Sequence, residues 1–150
     1  MVKIFRKYGG EPVDVIEHTL EVLERCPHAT IHIGTDSQNK GIETKYSIVI
    51  AYKLGSRGVH YIYKNFYTDK VKDKWTRLLS EAEYSIETAL WLQEQIKIEI
   101  QIDLDYNQDK KFYSNKLIPM TVGWITSLGF KVNVKPNIQI ATRAADHQCK

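Results

Sequence analysis

Ile31-His32-Ile33-Gly34-Thr35-Asp36-Ser37-Gln38 carries an apolar, β-branched run straight into a carboxylate and then into polar residues. The run reads as a buried strand over residues 30–36 that finishes on an acid. Desolvating a carboxylate is costly unless it is paired, hydrogen-bonded or bound to a cation, so Asp36 calls for a partner. Alternation puts His32, Gly34 and Asp36 on one face and Ile31, Ile33 and Thr35 on the other, with Gly34 leaving space beside Asp36. A second strand-like run, residues 97–104, ends in the same way. Gln101, Asp103 and Asp105 lie on one face, opposite Ile98, Ile100, Ile102 and Leu104.

Outward from these two runs, residues 12–26 read as a helix, with Pro12 in its first turn and Val13, Ile16, Leu20 and Leu23 at helical spacing. Residues 44–53 and 59–67 are β-branched and aromatic, and the turn Gly55-Ser56-Arg57-Gly58 makes them an antiparallel hairpin. Residues 71–95 change to a helical period, with Trp75, Leu78, Leu79, Ala82, Ile86, Ala89 and Leu90 as one apolar stripe. A helix over 115–128 ends at Gly129, a short strand spans 130–134, and a helix over 138–147 closes the chain. The predicted fold class is α/β: a mixed five-stranded sheet, βββαβαβα, with helices on both faces and an extra N-terminal helix.

With 150 residues and no linker or repeat, one domain over 1–150 is expected, residues 1–29 being an N-terminal helical extension and 30–150 the core. No apolar stretch approaches the roughly 18 residues that span a bilayer, and the first residues lack the features of a signal peptide, so no membrane partner and a cytoplasmic location are expected. Cys26 and Cys149 form no Cys-x-x-Cys pair, and Cys149, next to the last residue, reads as exposed. The net charge of +3 permits a polyanionic partner without demanding one.

If the fourth strand lies parallel beside the first, Asp36 and Asp103 become neighbours at one sheet edge. Like charges about 4 Å apart repel by about 1 kcal/mol in water and about 4 at an effective dielectric of 20. A third acid makes such a cluster untenable without protonation or a divalent cation, and oxygen-only ligands favour Mg²⁺ or Mn²⁺. On the long helix, Glu81 and Glu83 flank the apolar stripe on opposite rims. Periodicity cannot choose between them, although the small Ser85 beside Glu81 tips the balance that way. In the last helix, Asp146 sits among Ala141, Thr142 and Ala145, small residues that let a helix lie close to a sheet.

These stretches resemble the ribonuclease H-like superfamily and, more closely, the family of predicted ribonuclease H-like nucleases typified by YkuK. The matching residues are Ile33-Gly34-Thr35-Asp36-Ser37-Gln38, Arg77-Leu78 with Glu81, and Ile102-Asp103-Leu104. Ser114-Asn115, Gly129-Phe130, Lys135-Pro136 and Ala145-Asp146-His147 follow in order. The resemblance implies a nuclease in which Asp36, Glu81, Asp103 and Asp146 hold two Mg²⁺ or Mn²⁺ ions and a nucleic acid (RNA, DNA or hybrid) is the partner. Ser37, Gln38, Lys135 and His147 are the implied substrate contacts. After Asp103 the chain reads Leu104-Asp105-Tyr106-Asn107, so Asp105 and Asn107 compete for the strand-four position.

Plainer readings stand beside these. Asp36 could cap a turn, Asp105 and Asp109 could be loop acids, and Glu83 and Glu87 read as solvent-facing. The tyrosines belong to strands, the cluster Lys70, Lys72, Lys74 and Arg77 reads equally as a solvated face, and the histidines read as structural. A catalytically inactive module that binds nucleic acid or protein is the alternative function, and a hydrolase of small phosphate esters a third.

Overall fold

β3 (Thr30–Lys40) and β4 (Glu43–Lys53) form one long hairpin, turned at Gly41, whose φ of 62° suits a residue without Cβ. The computed structural model describes residues 4–105, 114–134 and 140–150. The first strand therefore does not end at Asp36. Ser37, Gln38, Asn39 and Lys40 continue it, paired with Tyr46, Lys45, Thr44 and Glu43. A polar composition hides this extension, and the partner strand supplies its order. β5 (Val59–Asp69) pairs antiparallel with β4 along its whole length, as the hairpin reading expected.

Two further strands precede α1 (Val15–Arg25): β1 (Ile4–Arg6) and β2 (Pro12–Asp14). The sheet is thus seven-stranded rather than five-stranded among the described residues, in the order β2-β1-β5-β4-β3-β6-β7. Three-residue strands carry too little alternation to be read from sequence. Pro12 lies in the outermost strand, where the missing N–H costs no ladder bond. Asp14 is the helix cap, accepting a bond from the Glu17 amide at 2.9 Å. The buried stripe of α1 is Val15 and Thr19 rather than one including Leu20, which is exposed. Thr19 is tolerated inside because its hydroxyl pairs with that of Tyr52 at 2.7 Å.

β6 (Ile100–Leu104) and β7 (Lys131–Val134) extend the sheet in parallel beyond β3. α2 (Lys74–Gln95), α3 (Ser114–Ser127) and α1 cover one face. Their core joins Ile31, Ile33, Ile48, Ile50 and Ile102 to Ala82, Ile86, Ala89 and Leu92 of α2; Leu90, assigned to the stripe by sequence, is exposed. α4 (Ala141–Cys149) covers the other face, setting Ala141 and Ala145 on Val49 and Ala51. The space beside Gly34 is filled by this helix: a Cβ there would stand 2.9 Å from the Thr142 backbone N and 3.0 Å from Ala141 Cβ. No helix among the described residues is long and apolar enough to cross a membrane.

Candidate functional site

β6 stops at Leu104, and its ladder with β3 ends at the pair Gly34–Asp103. From Asp36 onward the described ladder of β3 is on its β4 side alone, with Asp36 opposite Ser47. Asp36, four residues before the end of β3, thus lies just past the carboxyl end of β6 with α2 and α4 packed on β3, and the carboxyl ends of parallel strands are where open α/β sheets present ligand-binding groups.

Asp36 lies on the α4 face and hydrogen-bonds the Asp146 carboxyl, a contact that needs a proton on one of the two. Burial first, then Asp146 and Asp105, lift Asp36 from its ordinary value to about 7, although the Ser37 backbone N–H favours its charged form. Ser37 points to the other face, where its hydroxyl donates to Glu81 Oε2. Glu81 is itself buried. Burial and then the charge of Asp36, with a smaller push from Asp105, hold it well above the usual carboxylate range, against the favourable Ser37 hydroxyl and Arg77. Ser85 leaves no gap here: its hydroxyl bonds Thr35 at 2.8 Å and fixes α2 to β3. Glu83 is exposed.

Asp103 has different company. Its Oδ2 accepts the backbone amides of Ile140 and Ala141, each at 2.8 Å, so it caps the start of α4 from a neighbouring strand. Oδ1 accepts from Asn133 Nδ2 at 2.9 Å and lies 3.5 Å from His32 Nδ1. Burial alone would raise this carboxyl, but the His32 ring, Asn133 and the two amides hold it below its ordinary value. Continued by two residues, the β3–β6 register puts Asp105, not Asp103, level with Asp36. The acids that act on one another are accordingly Asp36, Glu81, Asp105 and Asp146.

Among the described residues, no three His, Cys, Asp or Glu side chains converge as a preformed metal cage. The carboxyls are instead tied in pairs, Asp36 with Asp146 and Glu81 with Ser37. Asp146, half exposed, also meets Lys150 at 3.1 Å. Gln38 is exposed, His147 is exposed and stacks on Tyr8 with ring centroids 6.3 Å apart, and Lys135, Asn107 and Asp109 lie outside the described residues. Cys149, read as exposed, is buried: its thiol donates to the Asp36 carbonyl at 3.2 Å, and burial pushes it up to about 12. Lys45, which sequence reasoning passed over, is also nearly buried and donates to the Gln148 carbonyl at 2.7 Å, fastening the end of α4. Lys45 lies near the polar start of β4, beside Glu43 and Thr44, and nothing local in the sequence marked it as buried.

The family model described as ribonuclease H-like matches residues 14–150. The chain belongs to the ribonuclease H-like family. The match supports the YkuK-like branch and begins in β2, upstream of the residues that carried the resemblance. No curated protein matches the chain. In this ribonuclease H-like chain Asp36 of β3 acts on Glu81 of α2 and is acted on by Asp146 of α4, and the acid just past β6 that acts on Asp36 and Glu81 is Asp105.

Proposed function

We propose that this chain is a Mg²⁺- or Mn²⁺-dependent nuclease that hydrolyses nucleic-acid phosphodiester bonds, with Asp36, Glu81, Asp105 and Asp146 holding two ions. The observation that carries this reading is the placement of half-buried Asp36 on β3 between buried Glu81 of α2 and Asp146 of α4, close enough that burial and then Asp36 hold the Glu81 carboxyl well above its usual range. A donor set of carboxylates and a serine hydroxyl fits a hard divalent cation better than zinc. When bound, such a pair supplies Lewis acidity at the phosphate and a water acidic enough to attack near neutral pH.

The chain's own residues prepare that chemistry. Asp36 stands on β3 between the two helices, beside Asp146 of α4 and within electrostatic reach of Glu81 of α2. Ser37 orients Glu81 from below, and Arg77, one helical turn earlier on α2, provides the neighbouring positive charge for a phosphate oxygen. Asp103 holds no ion in this scheme; it fixes the start of α4, while Lys45 fixes the end, so that Asp146 is held against Asp36. Gln38 and Lys135 are proposed to contact the substrate, and His147, stacked on Tyr8, lies at the rim.

The test is cleavage of end-labelled RNA, DNA and hybrid duplexes with Mn²⁺, Mg²⁺ or EDTA. Cleavage of at least one substrate with either cation, abolished by EDTA, is expected. Retained binding with no cleavage under any condition would favour the inactive module instead.

A further inference from the structure

At the end of β4 and β5 remote from the acids, α1 closes over residues 54–58 and leaves a cavity of about 380 Å³. The strand registers separate the two places: His60 at the cavity pairs with Tyr52, whereas Asp36 pairs with Ser47, five residues away along β4. The volume falls in the range of small-ligand sites, which run from about 300 to 1,000 Å³.

The lining is cationic. Lys7, Arg25 and Arg57 contribute three positive charges, against Glu21 as the single acid of the wall. Val22 and Leu54 add an apolar patch. Between them His18 and His60 meet Nε2 to Nε2 at 2.7 Å, so one imidazole donates to the other and at least one is neutral. Burial, then nearby positive charge, holds both rings below their ordinary values. For His18 that charge is His60, Lys7 and Arg25, with Glu21 opposing; for His60 it is Lys7.

A shared divalent ion does not fit this pair. Two nitrogens on one tetrahedral zinc would stand about 3.3 Å apart. Among the described residues no third ligand completes a set with them. Excess positive charge, imidazole N–H groups and a small apolar patch together match a different ligand, a multiply charged anion attached to an organic body.

We propose that the cavity between α1 and residues 54–58 binds a phosphomonoester of nucleotide size, its phosphate met by Lys7, Arg25, Arg57 and the His18–His60 pair. A hollow of this volume, open on one side where Arg25 and Arg57 are exposed, has room for a single nucleotide, which favours a terminal group over the middle of a strand. The phosphomonoester therefore belongs either to a free nucleotide or to the phosphorylated end of an oligonucleotide. The proposal stands independently of the nuclease reading.

The test follows the ring signals of His18 and His60 by NMR in the full chain. The probes are adenosine monophosphate, a 5′-phosphorylated trinucleotide, and adenosine as the phosphate-free control. Saturable shifts with one or both phosphorylated probes and none with adenosine are expected, and the tighter of the two identifies the source. The double variant Arg25→Gln/Arg57→Gln alters two exposed side chains, so its core spectrum should be unchanged while affinity falls at least tenfold. Absence of shifts at millimolar probe, equal shifts with adenosine, or undiminished affinity in the double variant would overturn the proposal. Shifts with Zn²⁺ but not with either phosphorylated probe would do so as well.

Discussion

Asp36→Asn should lower metal-dependent cleavage by on the order of 10³-fold, about 4 kcal/mol of transition-state stabilisation, while making the metal-free protein more stable above neutral pH. The two effects have opposite signs because one carboxylate serves the cation and burdens the apo fold. Folded Asp36 titrates at about 7 against an ordinary value of 3.8. Between those values the folded state binds more protons than the unfolded state, so its contribution is fully present below about pH 4 and is lost as pH rises through about 7. Asparagine still donates to Asp146 and carries no charge to neutralise. Melting curves from acid to mildly alkaline pH should show wild type declining, the variant declining less through Glu81 alone, and a gap on the order of 2 kcal/mol at about pH 8. A variant less stable than wild type at that pH, or as active with Mn²⁺, would remove Asp36 from the centre of the account.

Asp103→Ala should instead cost about 3 kcal/mol of stability with or without Mn²⁺, because it strands two backbone donors at the start of α4. Those donors are the Ile140 and Ala141 amides, whereas Asn133 Nδ2 keeps its bond to Gln101 Oε1. With the cap gone, α4 loosens, and Asp146 and Cys149 lose their positions against Asp36, so activity falls as a consequence. The pH dependence also differs from that of Asp36. A carboxyl held below its ordinary value contributes stability that is present above about pH 4 and lost as pH falls through the lowered value. Asp103→Asn should lose that acid sensitivity. If Asp103→Ala left the metal-free melting temperature unchanged or raised while abolishing Mn²⁺ affinity, Asp103 would be a ligand and the helix-capping role would be wrong.

The contrast between these two acids shows what the sequence could and could not disclose. Alternation along residues 31–36 separated the face of Asp36 from that of Ile31, Ile33 and Thr35, since period two is local, and Thr35 does bond α2 through Ser85. The small residues Ala141, Thr142 and Ala145 announced a helix lying close to the sheet, and at Gly34 the helix comes so near that a Cβ would crowd Thr142 and Ala141. Choosing Asp103 or Asp105 required the stagger between two parallel strands. That stagger is set by what packs on both faces and leaves no mark in either strand alone. Ser85 was noticed for its size, yet it serves as a hydrogen-bonding anchor to Thr35. The burial of Cys149 could not be read either, because a residue near the chain end is covered only when its helix docks. The short strands β1 and β2, and with them Lys7 in the cationic cavity, were missed because three residues hold no periodicity.

The measurement that bears most directly on the central claim is a crystal structure of the protein grown with Mn²⁺, with diffraction recorded at the manganese edge. The account predicts anomalous peaks beside Asp36, just past the end of β6, coordinated by Asp36 with Glu81, Asp105 and Asp146, and the Asp36–Asp146 contact broken. Peaks ligated elsewhere, or an Asp36–Asp146 contact still closed at saturating Mn²⁺, would contradict it.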